Sequence, residues 1–511
     1  MYKVKVEKPV NSRILEAGAG TKLTIVLVAV LVLAAIVGAF TTAVPFKIGI
    51  GVLVGIIVFV LTYRNLQFGL VLFLILNMTL PQAGPGINLG IKTPQIAGGE
   101  RGIHFNLHEI VMAMVLIAWL AQVIMKKAEW RTKSPLTLPV LIYIAATILS
   151  CFVGLIHGAN VAVPIFRFIR TAFFAYIFFV VLNTLRTRKQ FQQLVLVILI
   201  CSSLVALFGM LQFFLGQSWA EMVNAKYLIK LFGYPTEVSV VAGAGATQVY
   251  RINGTFLHPN IYGGYLAFVL PFFISVMGMM FRRKRWGLLS LLLIGFAMNA
   301  FCLVMTGSRA SWIAFGLIML LYGAFGLFDR RLIVTAVTVA MILVLLVVLF
   351  KPPDFIKQRF VSQSAKEATS GRMMQYKLAL DFFMDHPIFG LGMGMEGQKL
   401  VENGIRKTWA AVENVYLTYL VSEGLLGLAT FLLVLVFYWV LLLWARKNSE
   451  DDDFVHFYSE ALILGMVGFA VSNLFGAWLL FAVPMITLFW FFIAMGASMY
   501  NIFGEETPSG A

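Results

Sequence analysis

Apolar residues recur along this chain in blocks of about twenty, separated by short polar or basic stretches. Such blocks are long enough to cross roughly 30 Å of hydrocarbon at about 1.5 Å per helical residue, so each predicts a spanning helix. In the first half they fall at 23–44, 46–63, 66–80, 107–125, 136–156, 161–184 and 190–215. The second half adds 261–281, 286–305, 310–328, 332–350, 415–444, 457–480 and 483–503. The short third block and the break around Phe481 to Pro484 set the expected range at 12–14 helices. The predicted fold is therefore all-α: a polytopic helical membrane protein with a large outer loop containing short helices. Along the chain this gives a cytoplasmic N-terminal tail (1–22), transmembrane helices 1–11 (23–350), the large outer loop (351–413), the C-terminal transmembrane helices (414–503) and a cytoplasmic tail (504–511).

Composition agrees with the pattern. The 511 residues are 60% hydrophobic and 12% charged, far from the balance of a soluble domain. With 39 Lys and Arg against 23 Asp and Glu, the net charge is +16. In a membrane chain, basic cytoplasmic loops and anionic lipid account for such an excess, and no nucleic-acid-binding module is visible. The basic N-terminus carries no cleavage signature after its first apolar run and is expected to be retained. Cys151, Cys201 and Cys302 all fall inside apolar runs and read as packing residues.

Lys and Arg collect on alternate loops: the N-terminus, Arg64, Lys126 to Lys133, Arg186 to Lys189, Arg282 to Arg285, and Arg330 with Arg331. Since such loops face the cytoplasm, both termini are expected there. The longer loops 81–106, 216–260 and 351–413 then lie outside, with five of the six histidines: His104, His108, His157, His258 and His386. The acidic run Asp451 to Asp453 falls on a cytoplasmic loop. With no nucleotide-sugar transferase fold around it, a solvated charge run is the better reading than a metal site.

Polar chemistry collects on the outer side in four places. Arg251-Ile-Asn-Gly-Thr-Phe-Leu-His258-Pro-Asn260 leads into a helix, where Arg251, His258 and Asn260 either converge on an anion at the helix N-terminus or form an entry capped by Asn260. Asn253-Gly-Thr255 also fits a glycosylation sequon. Thr306-Gly-Ser-Arg309-Ala-Ser311 is a short outer turn whose arginine runs against the positive-inside tendency. Arg167 and Arg170 sit about six and nine residues into a span, roughly 9 to 14 Å deep, so an anionic ligand or a distant carboxylate must partner them. In the long loop, Ser370-Gly-Arg372 opens an amphipathic stretch, Met373 to Phe383, that reads as a surface helix near the interface. It ends at Asp385-His386-Pro387. Gly390-Leu-Gly-Met-Gly394 follows; with no preceding strand it reads as a tight, flexible loop rather than a dinucleotide fingerprint. Arg406, Glu413-Asn414-Val-Tyr416 and Glu423-Gly424 complete the set.

At these residues the chain resembles the O-antigen ligase and polymerase superfamily, bacterial membrane glycosyltransferases of surface polysaccharide assembly. The resemblance rests on Arg251-Ile-Asn-Gly-Thr-Phe-Leu-His-Pro-Asn260, Gly307-Ser-Arg309-Ala, Arg372 with His386-Pro-Ile-Phe-Gly-Leu-Gly392, and Glu413-Asn414-Val-Tyr-Leu followed by Glu423-Gly424. It implies a glycan donor on undecaprenyl pyrophosphate, a glycan or lipid A-core acceptor, membrane lipids as surroundings, no metal and no other cofactor, and a periplasmic site in the inner membrane. It also implies arginines on the pyrophosphate and a histidine before an asparagine as the proton acceptor; here that position is Glu413. The departure makes a polymerase, or a ligase for another acceptor, comparable to a lipopolysaccharide ligase.

The expected site is therefore Arg167, Arg170, Arg251, Asn260, Arg309, Arg372, Asn414 and Tyr416 for substrate, with Glu413 first, His386 second and His258 third as proton acceptor. The rival class is a multi-helix transporter or lipid-linked glycan flippase, for which Glu423 is the main buried acid.

Overall fold

The computed structural model describes residues 46–80, 86–92, 102–127, 134–159, 161–222, 251–256, 258–324, 363–404, 412–449, 452–477 and 482–506. The expected spans 23–44 and 332–350, the N-terminal tail, residues 507–511, Arg330 with Arg331, and Arg406 lie outside the described residues. The chain divides into two units, residues 1–64 and 65–511. In the first, helix α1 (Phe46–Arg64) is apolar and ends on Arg64.

In the second unit come α2 (Leu66–Thr79), β1 (Gly86–Lys92), β2 (Gly102–Asn106), α3 (Leu107–Ile124), α4 (Thr137–Ile156), α5 (Ala162–Thr184) and α6 (Arg188–Met222). Next are α7 (Pro259–Arg282), α8 (Trp286–Met305), α9 (Arg309–Ala324), α10 (Gln363–Asp385), α11 (Met395–Glu402), α12 (Val415–Lys447), α13 (Asp453–Ser472) and α14 (Val483–Glu506). Among the described residues nine helices are long and apolar enough to span a bilayer, and three shorter apolar ones (Gly51–Arg64, Leu66–Thr79, Arg309–Gly323) accompany them. The protein is an all-α polytopic membrane protein. The pattern missed one small element: β1 and β2 pair antiparallel, Ile87 against Phe105, as a hairpin within the 81–106 loop.

Helix α7 is buried on nearly every side, as its unbroken apolar run from Ile261 to Phe281 requires. It packs along α13 and α8, and Phe268 and Phe272 meet Phe492 of α14 with ring centres 4.2 and 4.9 Å apart. The other deeply buried helix, α14, lies against α5, while α12 lies against α4. Helix α13 starts at Asp453, earlier than the apolar block at 457, because the Asp452 side chain caps it by accepting from the N–H of Phe454 at 3.0 Å.

Charge marks the two ends of the bundle. At one end Arg188 pairs with Asp452 at 2.7 Å, and Arg282 and Arg283 each reach Asp453 at 3.1 Å. The acidic run thus meets two of the basic loop clusters. At the other end lie the starts of α7 and α12 and the close of α13, joined where the Val415 N–H donates to the Asn473 carbonyl at 3.0 Å.

Candidate functional site

The second end is where the sequence motifs meet. His258, in extended backbone, is the N-cap of α7: its Nδ1 accepts from the N–H of Asn260 at 3.0 Å, with Pro259 in the first turn. This corrects the expectation that Asn260 is the cap. With its Nδ1 engaged as acceptor, His258 closes the first turn of α7. The Asn260 side chain instead accepts from Arg251 Nη2 at 2.6 Å, and Arg251 Nε donates to the Thr306 carbonyl at 2.7 Å. Buried Arg251 thereby ties the entry to α7 onto the turn between α8 and α9. Asn253 is buried too, donating to the Phe256 carbonyl at 2.6 Å and accepting from buried Gln212 at 3.2 Å, so the sequon is not offered to solvent.

The turn held by Arg251 presents Arg309 as the first residue of α9. Gly307 adopts φ +58°, and Gly263 on α7 approaches so closely that a Cβ there would meet Ser311 Oγ at 2.6 Å. Among the described residues no hydrogen bond or ion pair engages the Arg309 guanidinium. Partial burial, and after it the positive charge of Arg372 on α10, weigh against the charged form of Arg309. Arg372 Nε in turn donates to Glu413 Oε2 at 2.6 Å.

Glu413 is held from several sides. Tyr376 OH donates to its carbonyl at 3.0 Å, and Gln375 Oε1 accepts from its N–H at 3.3 Å. Burial pushes the Tyr376 phenol up, which keeps it a donor. Asn414 follows as the N-cap of α12, accepting from the Leu417 N–H at 3.0 Å. Tyr416 OH donates to the Ala470 carbonyl at 2.9 Å, so it joins α12 to α13.

His386 is separated from this group. Fourteen residues along α10 from Arg372, it lies about 21 Å away at 1.5 Å per residue. There its ring packs 4.9 Å from that of His157, whose Nδ1–H donates to the Leu391 carbonyl at 2.7 Å.

Arg167 and Arg170 occupy a deeper cavity. Their partners are distant carboxylates, one of the two alternatives the sequence left open: Arg167 pairs with wholly buried Glu396, and Arg170 Nη2 lies 3.3 Å from Glu109 Oε1. The cavity, about 60 Å³, is also lined by Tyr143, Tyr419, Glu423 and Trp490, and is large enough for a few waters. Among the described residues, buried Glu423 carries a carboxylate oxygen with no hydrogen-bond partner. It precedes Gly424 (φ +68°), where α12 breaks.

The glycine run Gly390 to Gly394 fills that break. Leu391 and Gly392 donate to the carbonyls of Val421 and Ser422 at 2.8 and 2.9 Å, and Leu425 donates to the Pro387 carbonyl at 2.9 Å. The run is tight, as expected, and it is buried. Sequence reasoning missed Glu396, Glu109, Gln375 and Tyr376. A glutamate two residues after a glycine run, and Tyr376 one turn beyond Arg372, were the available signals.

These observations describe a polytopic membrane protein with a cluster of cationic and carboxylate groups at one end of its bundle. Residues 294–432 match the family model described as O-Antigen ligase, in agreement with the superfamily that the motifs resemble. The matched stretch contains Arg309, Arg372, Glu413 and Glu423, while Arg251 and Asn260 precede it. At family level it supports a membrane glycosyltransferase of the O-antigen ligase type. None of the curated proteins matches the chain.

Proposed function

We propose that this protein transfers a glycan from undecaprenyl pyrophosphate to an acceptor hydroxyl at the periplasmic face of a bacterial inner membrane. The observation that carries the reading is the convergence of Arg309, Arg372 and Glu413, from three separate motifs, on the end of the bundle opposite the basic loops. Arg309 and Arg372 hold the diphosphate and neutralise the charge that develops as the bond from the anomeric carbon to the phosphate oxygen breaks. Glu413 takes the acceptor's proton as its oxygen bonds to that carbon, with inversion. Arg251, Asn260 and His258 hold the turn that carries Arg309. Asn414, Tyr416 and Tyr376 fix the start of α12 and hence Glu413. Arg167 and Arg170 line the deeper cavity, each charge met by a carboxylate.

The test is reconstitution of the purified protein in bilayers with polyprenyl-diphosphate-linked glycan and an acceptor. Transfer without any nucleotide sugar supports the reading, and its absence across acceptors defeats it. In cells, loss of long chains with single repeats retained marks a polymerase, whereas accumulated lipid-linked polymer marks a ligase. The break in α12 beside buried Glu423 favours a second reading, a transporter or flippase. Bilayer crossing of labelled donor with no glycan transfer would sustain it.

A further inference from the structure

Two histidines that the transfer chemistry leaves unused meet where two helices end. His157 is the C-cap of α4, and His386 directly follows the last residue of α10. Their ring centres lie 4.9 Å apart, with the ring planes inclined by 53°. His157 Nδ1 is 2.7 Å from the Leu391 carbonyl oxygen. A carbonyl oxygen only accepts, so the hydrogen sits on Nδ1 and the lone pair of the neutral ring on Nε2. Metal-binding histidines are held in this way, one nitrogen donating to a backbone carbonyl and the other left to the ion. Among the described residues neither ring nitrogen of His386 is hydrogen-bonded. His157 is exposed and His386 half-buried, so ions reach the pair from solvent.

The separation of the rings suits a shared ion. An ion about 2.0–2.1 Å from each ligating nitrogen lies about 3.2 Å from each ring centre, and a tetrahedral angle then sets the centres about 5.2 Å apart. The observed 4.9 Å falls short of this by a margin that a small ring rotation closes. Electrostatics adds to the fit. Both α4 and α10 present their C-terminal ends here, and the free carbonyls of such ends favour a cation. Exposed Asp381 and Asp385 stand one turn apart at the close of α10, and the chain from Leu378 to His386 carries no lysine or arginine.

We propose that His157 and His386 form a binding site for a borderline divalent ion of the Zn²⁺ class, which ties the end of α4 to the end of α10. Imidazole nitrogen suits Zn²⁺, Cu²⁺ and Ni²⁺, whereas Mg²⁺ and Ca²⁺ take oxygen ligands. Among the described residues no third His, Cys, Asp or Glu joins the group, so water completes a four-coordinate shell. The site is structural: His386 stands about 21 Å along α10 from Arg372 and has no part in the proposed transfer. An ion bound there fastens the chain at His386, just before the glycine run that His157 already holds at Leu391.

Thermal unfolding of tag-free, chelator-stripped protein in detergent tests this whether or not the protein transfers glycan. Zn²⁺ that binds the folded state alone raises the melting temperature with dose. His386→Gln removes a ring with no hydrogen bond to lose among the described residues, so the fold is expected to survive. Removing even an outer-shell partner costs about 10- to 100-fold in metal affinity, so this variant should need at least about 10-fold more Zn²⁺ for the same rise. His157→Gln gives a second comparison, read in the same way. Mg²⁺ should give no rise in any of the three proteins. With Cu²⁺ as the spin probe, electron paramagnetic resonance should show two coordinated imidazole nitrogens in wild type and fewer in either variant. Matching Zn²⁺ titrations of wild type and both variants, a Mg²⁺ response equal to that of Zn²⁺, or a Cu²⁺ spectrum unchanged by the substitutions overturns the site.

Discussion

Residue by residue, the motifs mix chemistry with scaffolding, and hydrogen bonding separates the two. Arg251 has Nε and Nη2 committed to Thr306 and Asn260, whereas Arg309 keeps its donors available among the described residues. Both looked alike in the sequence, because the partners of Arg251 lie 9 and 55 residues away. The arginines of α5 teach the same point: each demanded a counter-charge, yet Glu396 stands 229 residues from Arg167. Replacing Glu396, the wholly buried member of the pair, by Gln leaves the partly buried Arg167 guanidinium short of this charge partner. The expected cost is about 3–5 kcal/mol, read as a fall in thermal stability in detergent; an unchanged melting profile would show that Arg167 draws its compensation elsewhere. Arg309→Ala should lower kcat/KM for the donor about 10- to 100-fold while leaving the fold intact. Wild-type kcat/KM in that variant would remove Arg309 from the site.

Among the elements, the decisive one is the strap from His386 to Gly394 set into the break of α12. A helix interrupted in a bilayer leaves backbone groups that lipid cannot satisfy, so protein must supply partners. The strap does so through Leu391, Gly392 and the Pro387 carbonyl. It also explains the glycines: a Cβ on Gly390 would sit 2.7 Å from the backbone nitrogens of Glu423 and Gly424, and one on Gly154 would sit 2.5 Å from the Met393 carbonyl oxygen. The sequence showed a tight glycine turn but not its destination, since the fit depends on α4 and α12 converging from distant parts of the chain. Gly390→Ala, at φ +69° against backbone, should lower thermal stability sharply. Gly404→Ala, also at φ +69° but with open space around it, should cost only about 1–3 kcal/mol. Equal effects at the two positions would mean that the strap is not tightly seated.

Across the molecule, the spanning helices among the described residues were legible because hydrocarbon thickness sets the length of each apolar run independently. The approach of Arg309, Arg372 and Glu413 was not, because it depends on how α9, α10 and α12 come together. Charge pairs at one end of the bundle and the arginine cluster at the other support a two-faced arrangement with the basic end cytoplasmic. The three native cysteines are buried, so introduced ones can be read cleanly. In intact spheroplasts a membrane-impermeant maleimide should label Asp385→Cys and spare Arg285→Cys, both at exposed positions. The reverse pattern would place the arginine cluster inside the cell.

The most direct measurement is kcat for glycan transfer from a polyprenyl diphosphate donor by purified Glu413→Gln, set beside wild type at saturating donor and acceptor. A fall of about 10²- to 10⁴-fold with donor KM little changed is the result predicted for loss of the proton acceptor. Turnover at the wild-type rate would contradict the assignment of chemistry to this end of the bundle.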